Sequence, residues 1–175
     1  MLSERPIFIS HSSKDEKIVT PFVEKILNIG LGISRDRIFY SSAKDTGPKS
    51  GSDFKDSIKS KIIGSAAVIQ VITQNYKQSE VCLNEMGAAW VLSDKVICFI
   101  LEPVTFETIG FIHNTTQLLK LNSADDLFQF QDDHPELYEN RRISQSNFNK
   151  QVKSFIRILN RNHLKPLNSA LSLSE

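Results

Sequence analysis

The sequence predicts an α/β domain built on a parallel sheet with helices on both faces. Short apolar runs alternate with helical segments along the chain. Those runs (Ile7-Phe8-Ile9, Ala66 to Thr73, Val96 to Leu101) are nearly continuous in apolar residues rather than alternating, as strands covered on both sides read. The length, 175 residues and 19.8 kDa, suits one domain with a sizeable core. A chain of that size buries roughly 70% of its unfolded surface without help from disulfides or metals.

Ile7 to Ser10 is the first strand, followed by the polar cluster His11-Ser12-Ser13-Lys14-Asp15. Ser13 and Glu16 have the spacing of a capping box. Ile18, Phe22, Ile26 and Ile29 then recur at helical spacing, up to Gly30 and Gly32. Pro21 lies inside this pattern, so the helix should kink there or restart with Thr20 as a second cap. Ile38 to Ser41 is a second strand. Residues 42–52, with Gly47-Pro48 and Gly51, read as a loop. Asp53 can cap a helix to about Ile63, with Phe54, Ile58 and Ile62 on one face.

Ala66 to Thr73 is the third strand and Gln74 to Gln78 a loop. Ser79 caps a helix to about Leu92. Val96 to Leu101 is the fourth strand, and Leu118 to Leu121 a fifth. The segment 123–142 mixes acidic residues with Phe128, Phe130 and Tyr138, and reads as an irregular insertion. Phe148, Val152, Phe155, Ile156 and Leu159 mark a final amphipathic helix near 146–161. The domain is thus expected over 1–161. The tail, 162–175, is expected either to be flexible or to dock on a partner.

Lys and Arg number 21 against 20 Asp and Glu, a net charge of +1. That balance gives no reason to expect a nucleic-acid or anionic-membrane partner. The longest apolar run, Val96 to Leu101, falls far short of the roughly 20 residues of a membrane span. The amino terminus does not have the pattern of a signal peptide. Two cysteines, Cys82 and Cys98, form no CxxC and no disulfide framework, which fits a reducing cytoplasm.

In open parallel sheets ligands bind outside the carboxyl ends of the strands. The loops expected there are residues 11–15, 42–52 and 74–79. Glu85 is the most informative residue near them. On a helical wheel with Val81 at zero, Glu85 falls at about 40°, Leu92 at about 20°, Ala89 at about 80° and Cys82 at about 100°. The carboxylate therefore sits within an arc of apolar residues, in the second turn of a helix leaving a strand's carboxyl end. Either it faces the cleft, partly desolvated, or it reaches around the helix to solvent or a lysine.

Three pieces, Ile7-Phe8-Ile9-Ser10-His11-Ser12, Gly47-Pro48 to Gly51, and Ser79-Glu80-Val81-Cys82-Leu83-Asn84-Glu85-Met86, resemble a Toll/interleukin-1 receptor (TIR) domain in order and spacing. The resemblance covers residues 5–122 and the last helix, in the style of stand-alone bacterial TIR proteins. It implies a flavodoxin-like three-layer fold with a five-stranded parallel sheet, here with a C-terminal extension. It also implies one of two activities: a self-associating adaptor, or an enzyme that cleaves NAD+ at the nicotinamide–ribose bond. Cleaving members carry a glutamate three residues after a cysteine-like position on this helix, as Cys82 and Glu85 do. This favours the enzyme, with NAD+ as substrate and no cofactor.

The resemblance further implies substrate contacts from the first loop, Ser10, His11, Ser12 and Lys14. Ser41 and Ser42, at the end of the second strand, are further candidates, and Cys82 would lie beneath Glu85. Tyr76 can stack on a base or pack on its neighbours. The Gly47, Pro48 and Gly51 loop would mediate TIR–TIR assembly. Val81 stands where the family often has an aromatic residue, so the resemblance leaves open whether the product is linear or cyclised ADP-ribose. A stand-alone protein of this style implies antiphage defence, by depleting NAD+ or by making a signal for a nucleotide-sensing effector.

One carboxylate suits that chemistry. Glycosidic cleavage passes through an oxocarbenium-like transition state. Nicotinamide departs from a cationic pyridinium and becomes neutral, so no general acid is needed. Glu85 would hold ribose hydroxyls and stabilise positive charge. Competing readings fit less well. A receiver domain needs acidic residues where Ser10-His11-Ser12 stand, and a dinucleotide-binding Rossmann domain needs a GxGxxG that is not present. His11, His113, His134 and His163 are scattered, unlike a metal site. A nucleoside deoxyribosyltransferase-like enzyme, also one glutamate acting on an N-ribosyl bond, remains an alternative.

Overall fold

A computed structural model describes residues 4–40, 59–109, 117–138 and 143–171, the side chains of 164–171 excepted. Five strands, β1 (Ile7–Ser10), β2 (Ile38–Tyr40), β3 (Ala67–Ile72), β4 (Val96–Ile100) and β5 (Leu118–Lys120), form one sheet. All neighbours are parallel, in the order β2-β1-β3-β4-β5. This is the flavodoxin-like order, which reverses direction between β1 and β3.

Alternation along each strand divides two layers. Ile7, Ile9, Ala67, Ile69, Val71, Ile97 and Phe99 face one side. There they meet helix α1 (Glu16–Pro21), the π-helical segment Phe22–Gly30 that continues it, and the final helix, named α5 below. Phe99 is the centre of this layer, with the rings of Phe22 and Phe130 at 5.1 and 5.2 Å. On the other side Phe8, Val68, Ile72, Cys98 and Ile100 pack under Ile62, the short helix α2 (Gln74–Lys77) and helix α3 (Glu80–Leu92). Strand alternation puts Ser10 and Gln70 on this second side as well.

Several local expectations are corrected. The Ser13–Glu16 capping box does not form. Ser12 instead caps a 3-10 turn, Ser13–Asp15, its hydroxyl accepting from Lys14 N at 3.4 Å. Pro21 neither breaks the helix nor uses Thr20 as a cap. Lacking an N–H, Pro21 leaves the carbonyl four residues back, that of Lys17, without its helical donor. The Asn162 side-chain amide donates to that carbonyl at 3.2 Å, and the helix passes into the wider π register instead of ending. Gly32, at φ 66°, then takes the left-handed turn. Gln74–Lys77 is a helical turn rather than a loop, because Thr73 caps it by accepting from Tyr76 N at 3.1 Å.

The acidic segment is no irregular insertion in its first half. Ser123 caps helix α4 (Ala124–Asp133), which buries Leu127 and Phe130, exposes Asp125, Asp132 and Asp133, and turns Asp126 back to accept from Lys120 N at 2.6 Å. The final helix, α5 (Gln145–Leu171), runs ten residues beyond the expected end. Asn162 and His163, whose Nε2 donates to the Glu102 carbonyl at 2.7 Å, fasten that extension to the core. The residues 162–171 are therefore helical, with Asn162 and His163 bonded to the body of the chain.

Candidate active site

β1 and β3 end side by side at the point where the sheet reverses direction, and three segments converge there. The first is Ser10-His11-Ser12 with Asp15. The second is Thr73 to Tyr76, and the third is the buried side of α3, made of Cys82, Glu85 and Ala89. Ser79 fixes the start of α3 by accepting from Cys82 N at 3.3 Å, which sets Glu85 in the second turn.

Glu85 faces inward and is only 3% exposed. Its Oε2 accepts from Ser10 Oγ at 3.0 Å, and Ser10 Oγ lies 3.0 Å from the Tyr76 hydroxyl. Val81, the wheel's reference, is 40% exposed, so the inward arc is centred nearer Ala89 than Val81, and Glu85 lies inside it. The alternative in which the carboxylate reaches around to solvent is thereby excluded.

The other sequence candidates separate by burial. Ser10 and Tyr76 are both fully buried, so neither presents a face to a ligand here. The stacking role considered for Tyr76 is corrected on that ground: its ring fills the layer over Ile72 and Cys98. Burial also pushes its phenol well above the ordinary range, keeping it protonated. His11 is buried, with its ring edge-on to Tyr40 at 5.7 Å and Nδ1 3.4 Å from the Ile9 carbonyl. Desolvation lowers its pKa, leaving the imidazole neutral at pH 7. Ser12 is buried as a cap and Lys14 is exposed. Burial raises the Cys82 pKa, and the charges of Glu85 and Asp15 raise it further, so Cys82 is no thiolate nucleophile. Ser41, Ser42, Gly47, Pro48 and Gly51 lie outside the described residues.

Asp15 escaped the sequence reading. It is buried and accepts from Thr73 Oγ1 at 2.5 Å and Asn75 Nδ2 at 2.7 Å, tying the β1 loop to the β3 loop. Its place at the end of a polar run after β1 was the available signal, but one aspartate in such a run is indistinguishable from a solvated one. Gln70, the register partner of Ser10, was missed for a similar reason. It is an isolated polar residue inside an apolar strand. Its side-chain oxygen accepts from Cys98 Sγ at 3.5 Å, while its Nε2 is buried without a partner. Among the described residues, no three His, Cys, Asp or Glu gather as a metal site. A cavity of about 230 Å³ lined by Pro6, Phe8, Phe39, Ser60, Lys61 and Gly64 lies toward the amino ends of the strands, away from Glu85.

The sheet order and the buried carboxylate at its reversal agree with a family match. The TIR domain family matches residues 7–135. The chain belongs to that family. A relative from Bacillus subtilis (strain 168), the uncharacterized protein YddK, is 35% identical over 136 residues. The aligned part is 78% of this chain and 50% of that relative, so the chain spans half the length of YddK. The match extends past the end of α4. Among the described residues of this TIR protein, no helix is long and apolar enough to cross a membrane.

Proposed function

We propose that this TIR protein cleaves NAD+ at the nicotinamide–ribose bond, with Glu85 as the catalytic carboxylate. The observation that carries the reading is a desolvated glutamate at the β1/β3 reversal, with its orientation fixed from beneath. A negative charge there acts at low effective dielectric, where its field on a developing oxocarbenium ion is strongest. The leaving nicotinamide needs no proton, so neither the neutral His11 nor the protonated Cys82 is needed as a general acid, and the proton released when water attacks the ribose passes to solvent. The exposed Lys14, and Ser41 and Ser42 from outside the described residues, are the proposed substrate contacts. Ser10, His11, Ser12, Tyr76 and Cys82 shape the site from behind.

Glu85 is nearly covered, so turnover requires its cover to open or to be rebuilt. We assign that step to association of TIR domains through the 42–52 loop, with Gly47, Pro48 and Gly51 as its turn. The product, ADP-ribose or an isomer of it, would deplete NAD+ or signal to a nucleotide-sensing effector in cytoplasmic antiphage defence.

The test is chromatography of NAD+ and all adenine-containing products with concentrated protein, wild type beside Glu85→Gln. Wild type should release nicotinamide, with specific activity rising with protein concentration, and Glu85→Gln should lose at least about 100-fold. Equal turnover by the variant would remove Glu85 from the chemistry. No turnover by either, with a crowding agent present, would favour an adaptor. Turnover only when a free base is supplied would favour the base-transfer reading.

A further inference from the structure

We infer that Tyr76 and Ser10 are positioning residues for Glu85, acting through a buried hydrogen-bond chain whose direction is fixed. The kinetic side of this inference rests on the proposed NAD+ cleavage; the chain itself does not.

The direction follows from counting protons. A serine hydroxyl has one. Ser10 commits it to Glu85 Oε2 at 3.0 Å, which leaves its oxygen to accept. The other hydroxyl at 3.0 Å, that of Tyr76, must then donate. The chain runs from Tyr76 O–H to Ser10 Oγ and from Ser10 O–H to Glu85 Oε2. All three residues are buried, so water does not compete for these bonds. Burial keeps the phenol protonated, so it retains the proton that this direction requires.

The supports of the chain are rigid. Ser10 ends a strand paired on one side with β3, and Tyr76 is held by the Thr73 cap, which Asp15 grips in turn. The Ser10 hydroxyl donates to the Glu85 carboxylate, and a hydrogen bond to the charged form of a group favours that form. Among the described residues, the titratable groups that share its electrostatic surroundings include Tyr76 on α2 and Cys82 on its own helix, with Cys98 beside Tyr76 and Asp15 beside Cys82.

The experiment combines a double-mutant cycle with carboxyl NMR. Ser10→Ala should lower kcat about 10- to 100-fold, the range of one hydrogen bond to a buried charge, with KM changed less than about twofold. Tyr76→Phe should lower it about 2- to 10-fold, and should do nothing further in the Ser10→Ala background. In protein labelled at the glutamate side-chain carboxyl carbon, with Glu85 assigned from Glu85→Gln, its titration should move to higher pH in Ser10→Ala and less so in Tyr76→Phe. The acid limb of the rate profile should move the same way. A packing role alone would move neither.

Two results overturn the inference: an unmoved Glu85 titration in Ser10→Ala, or losses that multiply in the double variant. If Ser10→Ala does not fold because it strands the phenol, Ser10→Ala/Tyr76→Phe leaves no orphaned hydroxyl and gives the same titration test. NMR needs no turnover. A moved titration in a protein that does not cleave NAD+ upholds the chain and rejects the activity. An active protein with an unmoved titration does the reverse.

Discussion

Glu85, His11 and Asp15 are three polar residues that the fold removes from water, each by a different route. Glu85 is held by a hydroxyl and Asp15 by a hydroxyl and an amide, so their burial is compensated. His11 has only a long contact to a carbonyl, and its burial therefore depresses its pKa. The consequence for stability has a definite sign. A depressed His binds fewer protons folded than unfolded, so its contribution is full above the unfolded pKa, about 6.5. It is lost as pH falls through the folded value. Burial depresses His134 as well, and adds in the same direction. Thermal unfolding should show a lower melting temperature at pH 5.5 than at pH 7.5, and His11→Gln should narrow that difference. An unchanged difference in the variant would mean that His11 is not the group responsible.

At the scale of elements, the junction between the π segment and α5 shows how packing reverses a local preference. Alanine in place of glycine within a helix is ordinarily stabilising by about 1 kcal/mol. At Gly30 an added Cβ would stand 2.8 Å from the Lys25 carbonyl oxygen and 2.9 Å from Phe148 Cδ2. Gly30→Ala should therefore destabilise, by about 1–3 kcal/mol as overpacking does, because Phe148 is itself wedged against Phe128 at 5.7 Å. Urea denaturation gives the sign directly, and a more stable variant would show that Phe148 can give way. Helix α3 poses the opposite problem. It is apolar nearly all round, with Trp90 56% and Val91 70% exposed while Glu85 is buried. Periodicity alone could not orient such a helix. The Ser79 cap and the continuous runs of β3 and β4 located it, but only contact with the sheet chose its inner face.

For the whole molecule, the last helix works as a brace. Its apolar stripe of Phe148, Val152, Phe155 and Leu159 closes the layer over Phe22 and Phe99, and its next turn fastens to both α1 and the end of β4. Truncation after residue 161 should remove the Asn162 and His163 bonds and return the Lys17 carbonyl to water. At about 0.5–1.5 kcal/mol per bond, and roughly 2–4 °C per kcal/mol for a domain of this size, the melting temperature should fall by about 2–12 °C. Calorimetry of the truncated chain showing no fall would make those two bonds ornamental. The proposed assembly belongs to this scale as well, since a carboxylate that is 3% exposed can turn over substrate only after a larger rearrangement.

The sequence by itself determined the strands, their parallel pairing as a class, the Ser79 cap and the family. These rest on local periodicity and on residues at fixed spacing, which act over one or two turns of chain. It also singled out Glu85 by its place on a helix leaving a strand's end. Only the tertiary structure decided what surrounds that glutamate. Ser10 and Tyr76 come from elements 75 and 9 residues away, Asp15 meets Thr73 across 58 residues, and Asn162 completes a helix 145 residues earlier. Nothing in the local sequence announces these long-range partners. A buried polar atom is satisfied wherever the packed chain brings a partner within about 3 Å, and that separation is set by the layers and not by the spacing along the sequence.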